Sequence, residues 1–347
     1  MIRFPAALAI AAVGAGLALI PAAGALAGFE DAVAAYQRGD YAAALRELRP
    51  LAEQGDARAQ HNLGVLHGAG KGVVQDHAAA AGWHRKAAEQ GFAPAENDLG
   101  LAYQHGLGVT QDLSEASKWY RLAADRGLAL AQHNLAILLV EGRGIAADAA
   151  EGAAWFRKAA EQGLAQSQNN LGLLFALGRG VPRDDAAAVA WFRKAAAQGD
   201  AKAQFSLARH HELGHGVARD LVEAATWYRK AAEQGHGDAQ NNLGVLYATG
   251  QGVARDLGEA AKWFRRAAGQ GYPMAQHSLG ILFAKGQGVP QDDVAAWVWL
   301  DLAAARGNAF AAKDRAIVAG RMTAERIAEA EKRARAWKPD PPAGPRP

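Results

Sequence analysis

The chain has 347 residues, no cysteine, and 38 Lys and Arg against 35 Asp and Glu. The missing thiols exclude a disulfide framework and a cysteine nucleophile. The near-neutral balance of +3 gives no electrostatic reason to expect nucleic acid as a partner.

Taken from the start, Arg3 is the only early charge, residues 5–20 are almost wholly apolar, and Ala25-Leu26-Ala27 forms a small-x-small cleavage site. Residues 1–27 are therefore predicted to be a secretory signal peptide cut before Gly28, which makes the mature chain periplasmic or secreted. An uncleaved anchor is the alternative, although the apolar stretch falls short of the ~20 residues a spanning helix needs. No later segment is apolar enough to span a bilayer, so no stable membrane insertion is expected once the leader is gone. Residues 28–56 form a shortened opening unit, with a turn at Gly39-Asp40-Tyr41 followed by Ala44, Leu45, Leu48, Leu51 and Ala52.

From 57 to 308 the sequence repeats every 36 residues. Trp83, Trp119, Trp155, Trp191, Trp227, Trp263 and Trp299 mark the period, together with Leu63, the glycine pair Gly70/Gly72, Asp76 and Gly91 and their equivalents. A period of this length is the mark of a helical solenoid. Within one unit, Ala59, Leu63 and Leu66 give the buried stripe of a first helix, which holds an unexpected glycine at Gly64. That position is Gly or Ala throughout, so it demands smallness, as a close helix crossing would. Gly70 and Gly72 form the turn, and Asp76 caps a second helix. Glu115, Glu151, Glu223 and Glu259 stand three residues after the cap, the spacing of a capping box. The tryptophans read as large core side chains filling the space left by neighbouring alanines, not as a ligand-binding stripe.

Residues 309–337 read as capping helices, the last of them rich in Glu, Arg and Lys, and the Pro-rich tail 338–347 as disordered. The predicted fold is all-α: a right-handed α/α superhelix of about eight helix-turn-helix repeats, roughly 17 helices, closed by a C-terminal capping helix and expected to be monomeric.

The unit Ala-x-x-x-Leu-Gly-x-Leu-Tyr-x-x-Gly-x-Gly-Val-x-x-Asp-x-x-x-Ala-x-x-Trp-Tyr-x-Lys-Ala-Ala-x-x-Gly, almost complete at 239–271, resembles the Sel-1-like repeat family, relatives of tetratricopeptide repeats with a longer turn. The opening unit, 28–56, is more similar to an ordinary tetratricopeptide repeat. The resemblance implies an adaptor that organises protein complexes in signalling, envelope control or polysaccharide export. One secreted branch is described as penicillin-binding or weakly β-lactam-hydrolysing, but its repeats carry a cysteine pair that this chain lacks. The functions open at this stage are a periplasmic scaffold binding a protein or peptide in its groove, a hydrolase or binding protein for β-lactams or cell-wall peptides, and a structural part of an envelope or export assembly.

No Ser-x-x-Lys, Gly-x-Ser-x-Gly or His-Glu-x-x-His element supplies catalytic residues. Two candidate partner-binding sets remain. His61, Asn97, His133, Asn169, Asn241 and His277 share one repeat position on the first helices, with Asn, Asp or Ser beside each, and either bond between helices or face a peptide in the groove. Arg209, His210, His211 and Glu212 depart together from the repeat in its fifth copy. His210 and His211 point about 100° apart on a helix, so with His215 they make a poor metal set, and neither metal nor cofactor is expected.

Overall fold

The computed structural model describes residues 27–340. The predicted leader lies outside them except for Ala27, as does the tail beyond Asp340. Among the described residues every regular element is a helix. They fall into two compact units, 27–167 with 179–181, and 168–178 with 182–340.

The first unit contains α1 (Ala27–Gln37), α2 (Tyr41–Glu53), α3 (Ala57–Ala69), α4 (His77–Ala88), α5 (Ala93–His105), α6 (Leu113–Asp125), α7 (Ala129–Glu141) and α8 (Ala149–Glu161). The second takes most of α9 (Ala165–Leu177), then α10 (Asp185–Ala197), α11 (Ala201–Leu213), α12 (Leu221–Glu233), α13 (Gly237–Thr249), α14 (Leu257–Gly269), α15 (Pro273–Lys285) and α16 (Asp293–Ala305). Two further helices, α17 (Ala311–Ala319) and α18 (Ala324–Ala336), pack on α16. No helix among the described residues is long and apolar enough to cross a membrane.

The first helix of each repeat ends on a left-handed glycine, such as Gly70 at φ 64°. The second glycine of the pair has a second reason to be there. A Cβ on Gly216 would lie 2.1 Å from the carbonyl oxygen of Asp185, at the start of the preceding repeat's second helix. Gly252 and Gly288 meet Leu221 and Leu257 in the same way. Each turn is thus seated on the backbone of the repeat before it, where no side chain fits.

Asp76, Asp112, Asp148, Asp184, Asp220, Asp256 and Asp292 all cap their helices through the side chain, as expected. The capping box is only half formed, because the Asp backbone N–H already donates to a first-helix carbonyl, for example Asp112 to Tyr103 and Asp220 to His211. The glutamates turn elsewhere: Glu151 and Glu223 accept from the indole Nε1 of Trp155 and Trp227, and Glu115 and Glu259 pair with Lys118 and Lys262.

The tryptophans pack less deeply than their regularity implies. Trp155 and Trp263 are buried, while Trp83, Trp119, Trp191, Trp227 and Trp299 keep part of the ring in solvent. A basic side chain lies over several of them, at 4.2 Å for Lys86 on Trp83 and 4.0 Å for Lys230 on Trp227. The large ring at the centre of the repeat is the next residue, Tyr120, Phe156, Phe192, Tyr228 or Phe264. It explains the small position of the first helix, since a Cβ on Gly172 would meet the Phe192 ring at 2.7 Å. The glycine makes room first for that ring and then for the facing helix, whose Ala188 carbonyl oxygen lies 3.2 Å from the same Cβ position.

A buried glutamine series, unread in the sequence, ties the helices together. Gln60, Gln204, Gln240 and Gln276 each donate to an alanine carbonyl eight residues back. Gln90, Gln162, Gln198, Gln234 and Gln270 donate to the Oε1 of the glutamine thirty residues earlier. In one repeat an ion pair replaces the two amides, with Arg126 Nε 3.1 Å from buried Glu96.

Candidate functional site

The polar series on the first helices is engaged largely in bonds to its neighbours. His61 Nε2 lies 2.9 Å from Asp98, His133 Nδ1 lies 2.8 Å from Ser167 Oγ, and Asn97 accepts from Asn134 at 3.0 Å. At the far end His277 Nε2 stands 2.7 Å from Asp314 of α17, which takes the place a further repeat would fill. Asn241 donates to Asn242. Asn169 is buried, and the Oδ1 atoms of Asn169 and Asn241 have no hydrogen-bond partner.

The cluster in the fifth repeat separates into different roles. Glu212 accepts a 2.5 Å bond from the Tyr228 hydroxyl, and Gln104 accepts from Tyr120 in the same way. Where the ring is Phe156, Phe192 or Phe264, that position is Val140, Ala176 or Ala248. Glu212 is therefore matched to a buried hydroxyl, and burial with Glu212 beside it pushes the Tyr228 phenol far above its ordinary 10. His211 is buried, and His210 Nδ1 donates to the Ser206 carbonyl while its ring sits 5.1 Å from Phe192. Only Arg209 is exposed.

A different place in the first unit gathers unusual residues. A cavity of 480 Å³ is lined by Gly64, Gly68, Lys71, His84, Asp98 and Leu101, among others. Here the large ring of five other repeats gives way to the smaller His84, facing Gly68 where Gln104 or Glu212 stands in two of them. The His84 ring lies against Gly64, whose Cβ would meet it at 2.6 Å. It is 5.3 Å, centroid to centroid, from the ring of His61. Desolvation lowers His84 from 6.5 to about 4 despite the charge of Asp98, so the imidazole is neutral at pH 7. The hydrogen bond from His61, with His84 nearby, holds Asp98 below the usual carboxylate range against the opposing effect of burial.

Register alone carries the signal for this site. Position 84 is aromatic or Leu in every other copy and position 98 is Asn or Ser, so both residues are single departures from the repeat. They stand fourteen apart in sequence, whereas the fifth-repeat residues are contiguous, which is why the latter draw the eye first.

The sequence matches the Sel1 repeat in seven consecutive copies, at 57–92, 93–128, 129–164, 165–200, 201–236, 237–272 and 273–308. These copies cover most of the chain, which belongs to the Sel1 repeat family. Among solved structures, a Sel1 repeat protein from Oxalobacter formigenes is 36% identical with a TM-score of 0.68, over 82% of this chain and 84% of that one. A protective antigen of uropathogenic Escherichia coli strains, displaying an SLR fold, is 29% identical with a TM-score of 0.55, over 90% and 91%. No curated protein matches the sequence. Sel1 repeat proteins are generally protein–protein interaction scaffolds.

Proposed function

We propose that this chain is an exported, periplasmic scaffold that holds a peptide or partner protein against its first helices. One observation carries the reading. One helical turn beyond the polar series, on the same face, each repeat but the fifth places an aliphatic side chain: Val65, Leu101, Ile137, Leu173, Val245 and Ile281. Val65 is buried, but Leu101, Ile137, Leu173 and Ile281 are half-buried and Val245 is 40% exposed, so beyond the first repeat the stripe is open to contact in each unit. Arg209 interrupts it with the one exposed charge of that column. Aliphatic positions flanked by polar ones suit an extended or helical segment that inserts apolar side chains.

The export reading rests on the leader composition of residues 1–27. Cell fractionation with N-terminal mass spectrometry tests it: a periplasmic chain beginning at Gly28 is expected, and a cytoplasmic chain retaining Met1 would refute it. For binding, cross-linked capture from envelopes is compared between the native chain and Ile137→Asp or Val245→Asp, with helicity checked by circular dichroism. Loss of specific proteins from the folded variants is expected, and an unchanged capture profile would sink the proposal. Nitrocefin turnover separates the hydrolase alternative, and none is expected.

A further inference from the structure

We infer that His61, His84 and Asp98 form a binding site for one divalent ion of the zinc class, with its remaining coordination position opening on the cavity of the first unit. One ring nitrogen from each histidine and a carboxylate oxygen of Asp98 all lie within 4.8 Å of one another. Tetrahedral donors about 2.0–2.2 Å from an ion stand roughly 3.4 Å apart. The 2.9 Å approach of His61 to Asp98 then opens by about half an ångström, and the widest separation closes by up to ~1.4 Å. Side-chain rotations of that size leave the helices in place.

Three observations point to a ligand rather than to a self-contained polar core. His84 is 7% exposed and its Nδ1 is buried with no hydrogen-bond partner, while His61, 2% exposed, meets Asp98 through Nε2. An unmade polar group at such depth costs about 1–3 kcal/mol. The two residues that complete the set are the lone departures from the repeat at their positions, one on α4 and one on α5, and helix packing brings them to the same point as His61 of α3. Finally, His84 and Asp98 both line the 480 Å³ cavity, so an ion held there is reachable from it. Two imidazoles and one carboxylate with a vacant direction are the donor set of open zinc sites, and they discriminate against calcium and magnesium, which take oxygen ligands.

The repeat itself supplies the controls. His84→Phe and Asp98→Asn install residues that other copies carry at those positions, over the same small first-helix residue, so both variants are expected to fold. The full chain, stripped with a chelator, is titrated with Zn²⁺ by calorimetry and with Co²⁺ by visible absorption. One saturable ion per chain is expected, with the absorption of four-coordinate cobalt. Either substitution should weaken binding tenfold or more, since even outer-shell losses cost that much. Absence of saturable uptake overturns the site. Equal affinity in folded His84→Phe and Asp98→Asn overturns it as well, because the ion would then sit on other histidines. Neither result bears on peptide capture by the first-helix face, which Ile137→Asp reads separately.

Discussion

At the residue scale, neighbouring aromatics of one helix have unequal tasks. Trp191 lies on the flank of α10 under Lys194, at 4.2 Å, and remains half-buried, while Phe192 is fully enclosed against Gly172. Phe192→Ala is expected to cost about 3–5 kcal/mol and Trp191→Ala at least ~1 kcal/mol less, measured as the shift in urea unfolding. Equal losses would show that the tryptophan is the true core residue. The sequence made the opposite order attractive, because an invariant Trp is conspicuous whereas the position after it alternates between Tyr, Phe, His and Leu. Variation there reflects what lies opposite: a hydroxyl needs Gln104 or Glu212, and a phenyl ring needs none. A column read by itself cannot reveal such pairing, because the two positions lie sixteen residues apart and meet only when the helices pack.

At the scale of the element, the turn between helices is doubly constrained. Gly216 needs a left-handed backbone at φ 68° and has the Asp185 carbonyl where a Cβ would be. Gly216→Ala is expected to destabilise by roughly 2 kcal/mol or more, the left-handed strain alone being about 1–2. Gly199 is also at positive φ, but with nothing near its Cβ, so Gly199→Ala isolates the strain component. Equal effects of the two would refute the seating of the turn on the preceding repeat. The Glu96–Arg126 pair offers a gain instead. Burial raises the Glu96 carboxyl against the pull of Arg126, so its ionised form opposes folding at neutral pH. Replacing both by Gln, the amide pair of other repeats, is expected to raise stability at pH 7 by about 1 kcal/mol, with the advantage shrinking as the pH falls toward the carboxylate range. A less stable double variant at pH 7 would overturn this. The periodic caps and glycine turns were legible in the sequence, since each depends on local backbone geometry. The glutamine series was not, because its partners lie eight and thirty residues away.

Across the whole molecule, partly desolvated histidines contribute to the response to acid. His105, His210 and His236 are each held below the ordinary 6.5, with desolvation the largest cause. His236 caps α13 through Nδ1 and stacks on Phe205 at 4.6 Å, with Asp200, Asp238 and Lys202 around it. Because the unfolded state takes up the proton first, their contribution is intact above pH 6.5 and is lost as the pH falls through the folded values. Urea midpoints should therefore decline as the pH falls below about 6.5, and His236→Asn, which keeps an acceptor at the cap, should flatten that slope. An unchanged slope would assign the acid response elsewhere. The repeat's helices and their order were legible because a fixed period displays them many times over. The cavity was not, since it lies where one copy departs from the repeat. The uniform spacing of contacts also bears on how such a chain changes over generations. Asn134 reaches back thirty-seven residues to Asn97, Gln162 thirty to Gln132, and Gly252 meets Leu221 of the preceding copy. Recombination that inserts or deletes a whole copy recreates these junctions unchanged, whereas a shift of one residue breaks all of them. Copy number within either unit is thus free to drift in whole steps. Copy-specific junctions such as His133–Ser167 are exceptions, and so is the one holding His61, His84 and Asp98: an insertion between the first two copies would part Asp98 from the two histidines, and loss of either copy would remove part of the set.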